Sequence, residues 1–99
     1  MAAAGDPIQL RNPDPKKKGP RIAKSAYTVL RKAALATLPA AGPGLTLAEF
    51  REALAKRLAA TNGWDRTKSA SWYGMAIKLD LEARGELTRT GVPQRLRRA

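Results

Sequence analysis

Three blocks of apolar residues at three- and four-residue spacing run through the middle of the chain, and each is closed by a helix-breaking signal. At 3.6 residues per turn such a block becomes one apolar face, so the spacing predicts three amphipathic helices. The first spans about Ser25 to Leu38. Tyr27, Leu30, Ala34 and Leu38 share a face, while Lys24, Arg31 and Lys32 lie off it; Pro39 and Ala41-Gly42-Pro43-Gly44 end it. The second opens at Thr46-Leu47-Ala48-Glu49. This is a capping box, in which the Thr hydroxyl accepts from the third helical amide and the Glu carboxylate reaches back to the cap amide. Leu47, Phe50, Leu54 and Leu58 form its inner stripe, and Glu52 with Lys56 an outer i,i+4 pair. It should stop near Ala60, ahead of Asn62-Gly63. The third spans about Ser69 to Arg84, with Thr67 or Ser69 as cap and Gly85 just past its end. Tyr73, Ile77 and Leu81 make one apolar line, and Trp72, Ala76, Leu79 and Ala83 a second beside it. Two adjacent lines predict a helix buried on more than one side, with Trp72 in the core before a stacking platform for a base, and Asp80 and Arg84 pairing outside. Trp64, in the polar connection before it, fits core or surface equally.

The segments outside the helices differ in kind. Residues 1–20 contain Pro7, Pro13, Pro15 and Pro20, little apolar content and the run Lys16-Lys17-Lys18, which reads as a flexible basic arm. Residues 21–99 then make a single domain, as a 99-residue length favours. After the third helix, Leu87-Thr88-Arg89 and Gln94-Arg95-Leu96-Arg97 flank Thr90-Gly91-Val92-Pro93 as a short hairpin. Pro93 lacks the amide that a two-residue turn would need, so a four-residue loop is expected. That loop pairs Leu87 with Leu96, Thr88 with Arg95 and Arg89 with Gln94. Both leucines then face the helices, and Arg95 and Arg97 point away.

Charge narrows the function. The formal net charge is +11, from 19 Lys and Arg against 8 Asp and Glu. It is segregated: residues 1–32 carry +6, residues 45–88 carry +1 and residues 89–99 carry +4. A balanced body with two basic ends points to a polyanionic partner, nucleic acid before an acidic membrane surface. The sequence has no Cys and no His, which excludes a disulfide scaffold, a zinc finger, a Cys nucleophile and His-dependent acid–base chemistry. Asp80 and Glu82 are two apart on a helix and diverge, so they cannot share an acid–base task. Gly42-Pro43-Gly44 lacks the Lys-Ser/Thr of a phosphate loop. A non-enzyme without cofactor or metal is expected. No apolar run reaches the ~20 residues of a membrane span, and Met1 to Leu10 lacks the pattern of a secretory signal. The expected address is the cytoplasm, in association with the nucleoid.

Helix, helix, helix and basic hairpin is the order of a winged helix-turn-helix, and the last third of the chain carries the resemblance. Leu81, Gly85, Leu87 and Arg89 match the recurring end of a winged-helix recognition helix: a Leu four residues before a Gly, then an apolar residue that starts the wing and a basic residue after it. Thr46 to Leu58 matches the capped helix before it. The resemblance covers about Arg21 to Arg98 and is that of a small, stand-alone, bacterial-type winged-helix protein. It departs from the common pattern in a long connection between the second and third helices and in Trp72 and Tyr73 at the start of the third.

The resemblance implies an α+β fold, mainly α, with a C-terminal β-hairpin wing, and a nucleic-acid-binding role in transcription regulation or nucleoid organisation. The third helix would enter a major groove with Lys68, Ser69, Ser71, Trp72 and, further along, Lys78. The wing would supply Arg89, Arg95, Arg97 and Arg98, and the arm Lys16, Lys17, Lys18 and Arg21, to phosphates. Duplex DNA is the expected partner. RNA held by shape and a protein–protein module are the rivals, and monomer and weak homodimer both remain open.

Overall fold

The structure is a computed structural model that describes residues 7–65, 67–91 and 94–99. Its elements are β1 (Pro7–Gln9), β2 (Arg21–Ala23), α1 (Lys24–Thr37), α2 (Leu47–Ala59), α3 (Ala70–Ala83), β3 (Leu87–Thr90) and β4 (Arg95–Arg98). The three helices therefore fall within one or two residues of the expected limits. Thr46 caps α2 with both halves of the box present: its hydroxyl accepts from the Glu49 amide at 3.1 Å, and the Glu49 carboxylate accepts from the Thr46 amide at 2.8 Å. Ser69, rather than Thr67, caps α3, its hydroxyl accepting from the Trp72 amide at 3.1 Å. Gly85 follows α3 with φ of 77°, the left-handed value that ends helices. Among the described residues no helix is long and apolar enough to cross a membrane.

The inner faces of the helices meet in one core. Leu30, Phe50, Leu54, Leu58, Ile77 and Leu81 are each fully buried. Trp64 joins them at 6 % exposure, although its neighbours in sequence are polar. The sequence reading differs for the two residues that it placed either side of α3. Trp72, expected in the core, is 50 % exposed, and Asp80, expected outside, is fully buried. The α3 helix is thus rotated: the small residues Gly74 and Ala76 are buried, and Gly74 faces Leu54 and Arg51 of α2.

A second difference concerns residues 7–20, read from the sequence as part of a flexible arm. β1 pairs antiparallel with β2, Ile8 opposite Ile22. Leu10 is 1 % exposed and Ile22 7 %. The Leu10 amide donates to the Pro20 carbonyl at 2.9 Å, and the Arg11 amide reaches Asp80 Oδ1 at 2.8 Å. Burying Ile8, Leu10 and Ile22 offsets the ordering of this segment. Residues 1–6 of the expected arm lie outside the described residues.

The C-terminal hairpin forms with a shifted register. Leu87 pairs with Arg98, Thr88 with Arg97, Arg89 with Leu96 and Thr90 with Arg95, so residues 91–94 separate the strands. The slip is by two residues on the partner strand. A slip of two keeps every side chain on its expected face, and both leucines remain buried, Leu87 at 2 % and Leu96 at 1 %. Gly91 takes φ of 82° at the first loop position, a conformation that Thr90 would adopt only with strain. Val92 and Pro93 of the expected loop lie outside the described residues. Leu45, in the α1–α2 connection, adds an isolated bridge on the other edge of β4: it exchanges both backbone hydrogen bonds with Leu96, at 3.0 and 2.7 Å. Gly44 makes that approach possible. A Cβ there would stand 2.7 Å from the Leu96 carbonyl oxygen, and its φ is 81°.

Candidate functional site

Asp80 organises the side of the molecule on which the segment after β1 meets α1 and the end of α3. It is fully buried near the end of α3 and accepts from the Arg11 amide at 2.8 Å, the Tyr27 hydroxyl at 2.9 Å and Arg84 Nε at 2.9 and 3.0 Å. A buried carboxylate is tolerable only with such partners. Burial and the bond to Asp80 together push the Tyr27 hydroxyl above its ordinary pKa. Partial burial works against the Arg84 charge, but its contact with Asp80 outweighs that and raises its pKa. The four groups tie β1–β2, α1 and α3 together at one point.

Clamped there, the loop between β1 and β2 lies against the outer face of α3. Asn12, Pro13 and Asp14 line a cleft of about 360 Å³ with Leu79 and Glu82 of α3 and Arg89 of β3. Asp14 shapes the loop by accepting from the Lys16 amide at 2.9 Å, and Lys16, Lys17 and Lys18 follow it, all exposed. None of the three forms a salt bridge among the described residues. Arg21, at the start of β2, is exposed as well.

The wing arginines are placed differently. Arg89 Nε lies 2.7 Å from Glu82 Oε2. Arg95 Nη1 donates to the Gly44 carbonyl at 3.3 Å and lies 3.7 Å from Glu49. Arg97 Nη1 donates to the Gly42 carbonyl at 3.4 Å, and Arg98 Nε to the Leu38 carbonyl at 3.1 Å. Each thus spends one nitrogen on the body and keeps other N–H groups of its five for a ligand. Arg95 and Arg97 do leave the hairpin on the face away from the leucines, then fold over the α1–α2 connection.

Along α3 the expected contacts separate into two groups. Ser69, Ser71 and Trp72 are exposed at its first turn. Ser71 Oγ accepts from Arg51 of α2, and Lys68 Nζ lies 3.4 Å from the Tyr73 hydroxyl and 5.3 Å from its ring centre. Lys78 is not available to a ligand. It is 6 % exposed, with Nζ 2.9 Å from Glu82 Oε1. Position 78 lies two turns beyond Ser71 on nearly the same face, but at that height the helix is covered, and Glu82 neutralises the lysine there. The same carboxylate holds Arg89, so one acid answers two of the expected cations.

Sequence reasoning missed Asp80 as a junction, and with it Arg11 and Tyr27. A signal was present in the alternation Ile8-Gln9-Leu10 opposite Ile22, which is a strand pattern among the prolines. Nothing in the sequence signalled that the Arg11 amide would end on a carboxylate 69 residues away.

Residues 7–97 match a family described as a family of unknown function (DUF6958), and the chain belongs to that family. Comparison with curated proteins and comparison with solved structures each return no match.

Proposed function

We propose that this chain binds nucleic acid, duplex DNA in the first place, through the outer side of α3 with the β1–β2 loop and the wing on either flank. The observation that carries the reading is the convergence of the two basic ends. Segments some seventy residues apart in sequence, the loop leading to Lys16–Lys18 and the first strand of the wing, line one cleft beside α3. Unpaired lysines on a short loop suit phosphates, which need charge more than geometry. Arg89, Arg95, Arg97 and Arg98 add further N–H donors, and Ser69 and Ser71 stand at the helix end a groove would meet first.

A winged helix-turn-helix is the architecture that fits this use. Three helices are followed by a hairpin, and Leu45 of the α1–α2 connection adds an isolated bridge on the other edge of β4. Transcription regulation or nucleoid organisation would follow from such binding. A competition between random duplex DNA and a structured RNA of equal length, at matched salt, tests the choice of partner. Duplex DNA should win. Equal displacement by RNA would move the assignment to shape-based RNA binding.

One observation favours a second reading. Trp72, Met75 and Leu79 occupy the outer face of α3 at helical spacing, and each is at least partly exposed. An apolar stripe of this kind suits a protein partner. Binding to nucleic acid that ignores salt, together with a partner lost on changing Met75 to Lys, would favour this reading.

A further inference from the structure

Trp72 is the one large hydrophobic side chain left exposed among the described residues. It is not loose. Its ring centre lies 4.7 Å from that of Tyr73 at 79°, and Tyr73 in turn stands edge-on to buried Trp64 at 5.3 Å and 88°. This ladder of three rings fixes the indole from the core outward. Half of the side chain stays in solvent. Around it are polar and cationic groups. Ser69 and Ser71 precede it in sequence and are exposed, Arg51 is bonded to Ser71, and Lys68 sits over Tyr73. Neither Arg51 nor Lys68 forms a salt bridge among the described residues.

We propose that Trp72 is a stacking platform for an unpaired base, so that the preferred ligand is nucleic acid carrying a bulge, an overhang or a single-stranded end. This inference rests on the nucleic-acid reading above and narrows its ligand. The apolar stripe of Trp72, Met75 and Leu79 ends at Trp72, and the residues N-terminal to it carry hydroxyls and a cation, Ser69, Ser71 and Lys68. A flat ring with cations beside it matches a base next to its phosphates. In a continuous duplex the base faces are hidden by their neighbours, and an indole in the first turn of α3 is too broad to read a base edge. A base outside the stack offers its face to the indole while Lys68 and Arg51 reach the adjoining phosphates.

The test measures affinity of the full chain for three labelled oligonucleotides at one salt concentration: a perfect duplex, the same duplex with a single-base bulge, and the same duplex with a short 3′ overhang. The bulged and overhanging forms should bind about tenfold tighter than the perfect duplex. Trp72→Ala should abolish that preference, so that the bulged and overhanging forms bind no tighter than the perfect duplex, and Trp72→Phe should keep most of it. Both variants should melt like the parent, since the side chain is half in solvent. Emission from Trp72 should be quenched by the bulged duplex and not by the perfect one, with buried Trp64 as the internal reference. Equal affinity for all three forms, with perfect-duplex binding intact, would overturn the stacking role and leave the nucleic-acid reading standing. A Trp72→Ala variant that loses all three forms equally would also overturn it, by making Trp72 a general contact. Absence of binding to every form at low salt would remove both.

Discussion

At the N-terminal end Lys16, Lys17 and Lys18 stand exposed on the β1–β2 loop without a salt bridge among the described residues; at the C-terminal end Arg89, Arg95, Arg97 and Arg98 each return to the body, two of them to carboxylates and three to carbonyls. In the sequence the two ends look alike, a basic excess beside a balanced middle. The structure distinguishes charge that is free from charge that also holds the fold. Lysines on a loop cost little to discharge at a phosphate, whereas each wing arginine also fastens the hairpin. Removing free charge should alter binding alone. Removing fastened charge should alter both.

The largest expected effects concern the two leucines that anchor these ends, each 1 % exposed. Leu10→Ala should destabilise the protein by about 2–5 kcal/mol, and Leu96→Ala by a similar amount, in denaturant melts. A silent Leu10→Ala would mean that the N-terminal end is an arm after all, and the contrast would reduce to ordered against disordered.

Asp80→Ala should come next, at about 2–3 kcal/mol, because it strips a charged acceptor from Arg11, Tyr27 and Arg84 at once. Hydrogen exchange at the Arg11 amide should accelerate with it. Retained protection there would show that the β1–β2 hairpin holds its place without the clasp.

Tyr27 sharpens the same point through pH. Its folded pKa is raised above the ordinary 10.0, so its contribution is fully present below pH 10.0 and is lost as pH climbs through the folded value. Stability of the parent should fall as pH rises above 10.0 and through the raised folded value, and Tyr27→Phe should lack that part of the fall. At neutral pH Tyr27→Phe should cost about 1 kcal/mol for the lost bond to Asp80. Parallel pH curves for the two would contradict the clasp.

These contrasts mark how much was legible. Helix limits, both caps and the inner stripes could be read because each depends on near neighbours: Thr46 with Glu49, Ser69 with Trp72, Leu30 with Ala34. The rotation of α3 could not. Trp72 and Ala76 fall on one sequence line, yet only the small residue packs, and which of two adjacent lines faces inward depends on what α2 brings opposite Gly74. The hairpin register failed for a narrower reason. The missing amide of Pro93 disfavours a two-residue turn but does not fix which four residues separate the strands. Of the candidate site, Lys78 was misplaced because a lysine on a helix reads as surface unless Glu82 beside it is known to be inward.

Smaller in stability is the paired change Arg95→Ala with Arg97→Ala. Its hydrogen bonds are long, at 3.3 and 3.4 Å, so a cost of about 0.5–1 kcal/mol is expected. The salt slope of duplex binding should shrink by about 1–2. A full loss of stability with no change in slope would make the wing arginines structural only.

Salt dependence of binding to a random duplex tests the functional reading most directly, measured for the parent and for Lys16→Ala/Lys17→Ala/Lys18→Ala together. If about six phosphates are neutralised, log K for the parent should fall with log salt at a slope of about −5. The triple variant should melt as the parent does and lose about 2–3 of that slope. A parent slope near zero, or a triple variant that binds with the parent's slope, would contradict a phosphate-binding role for this face.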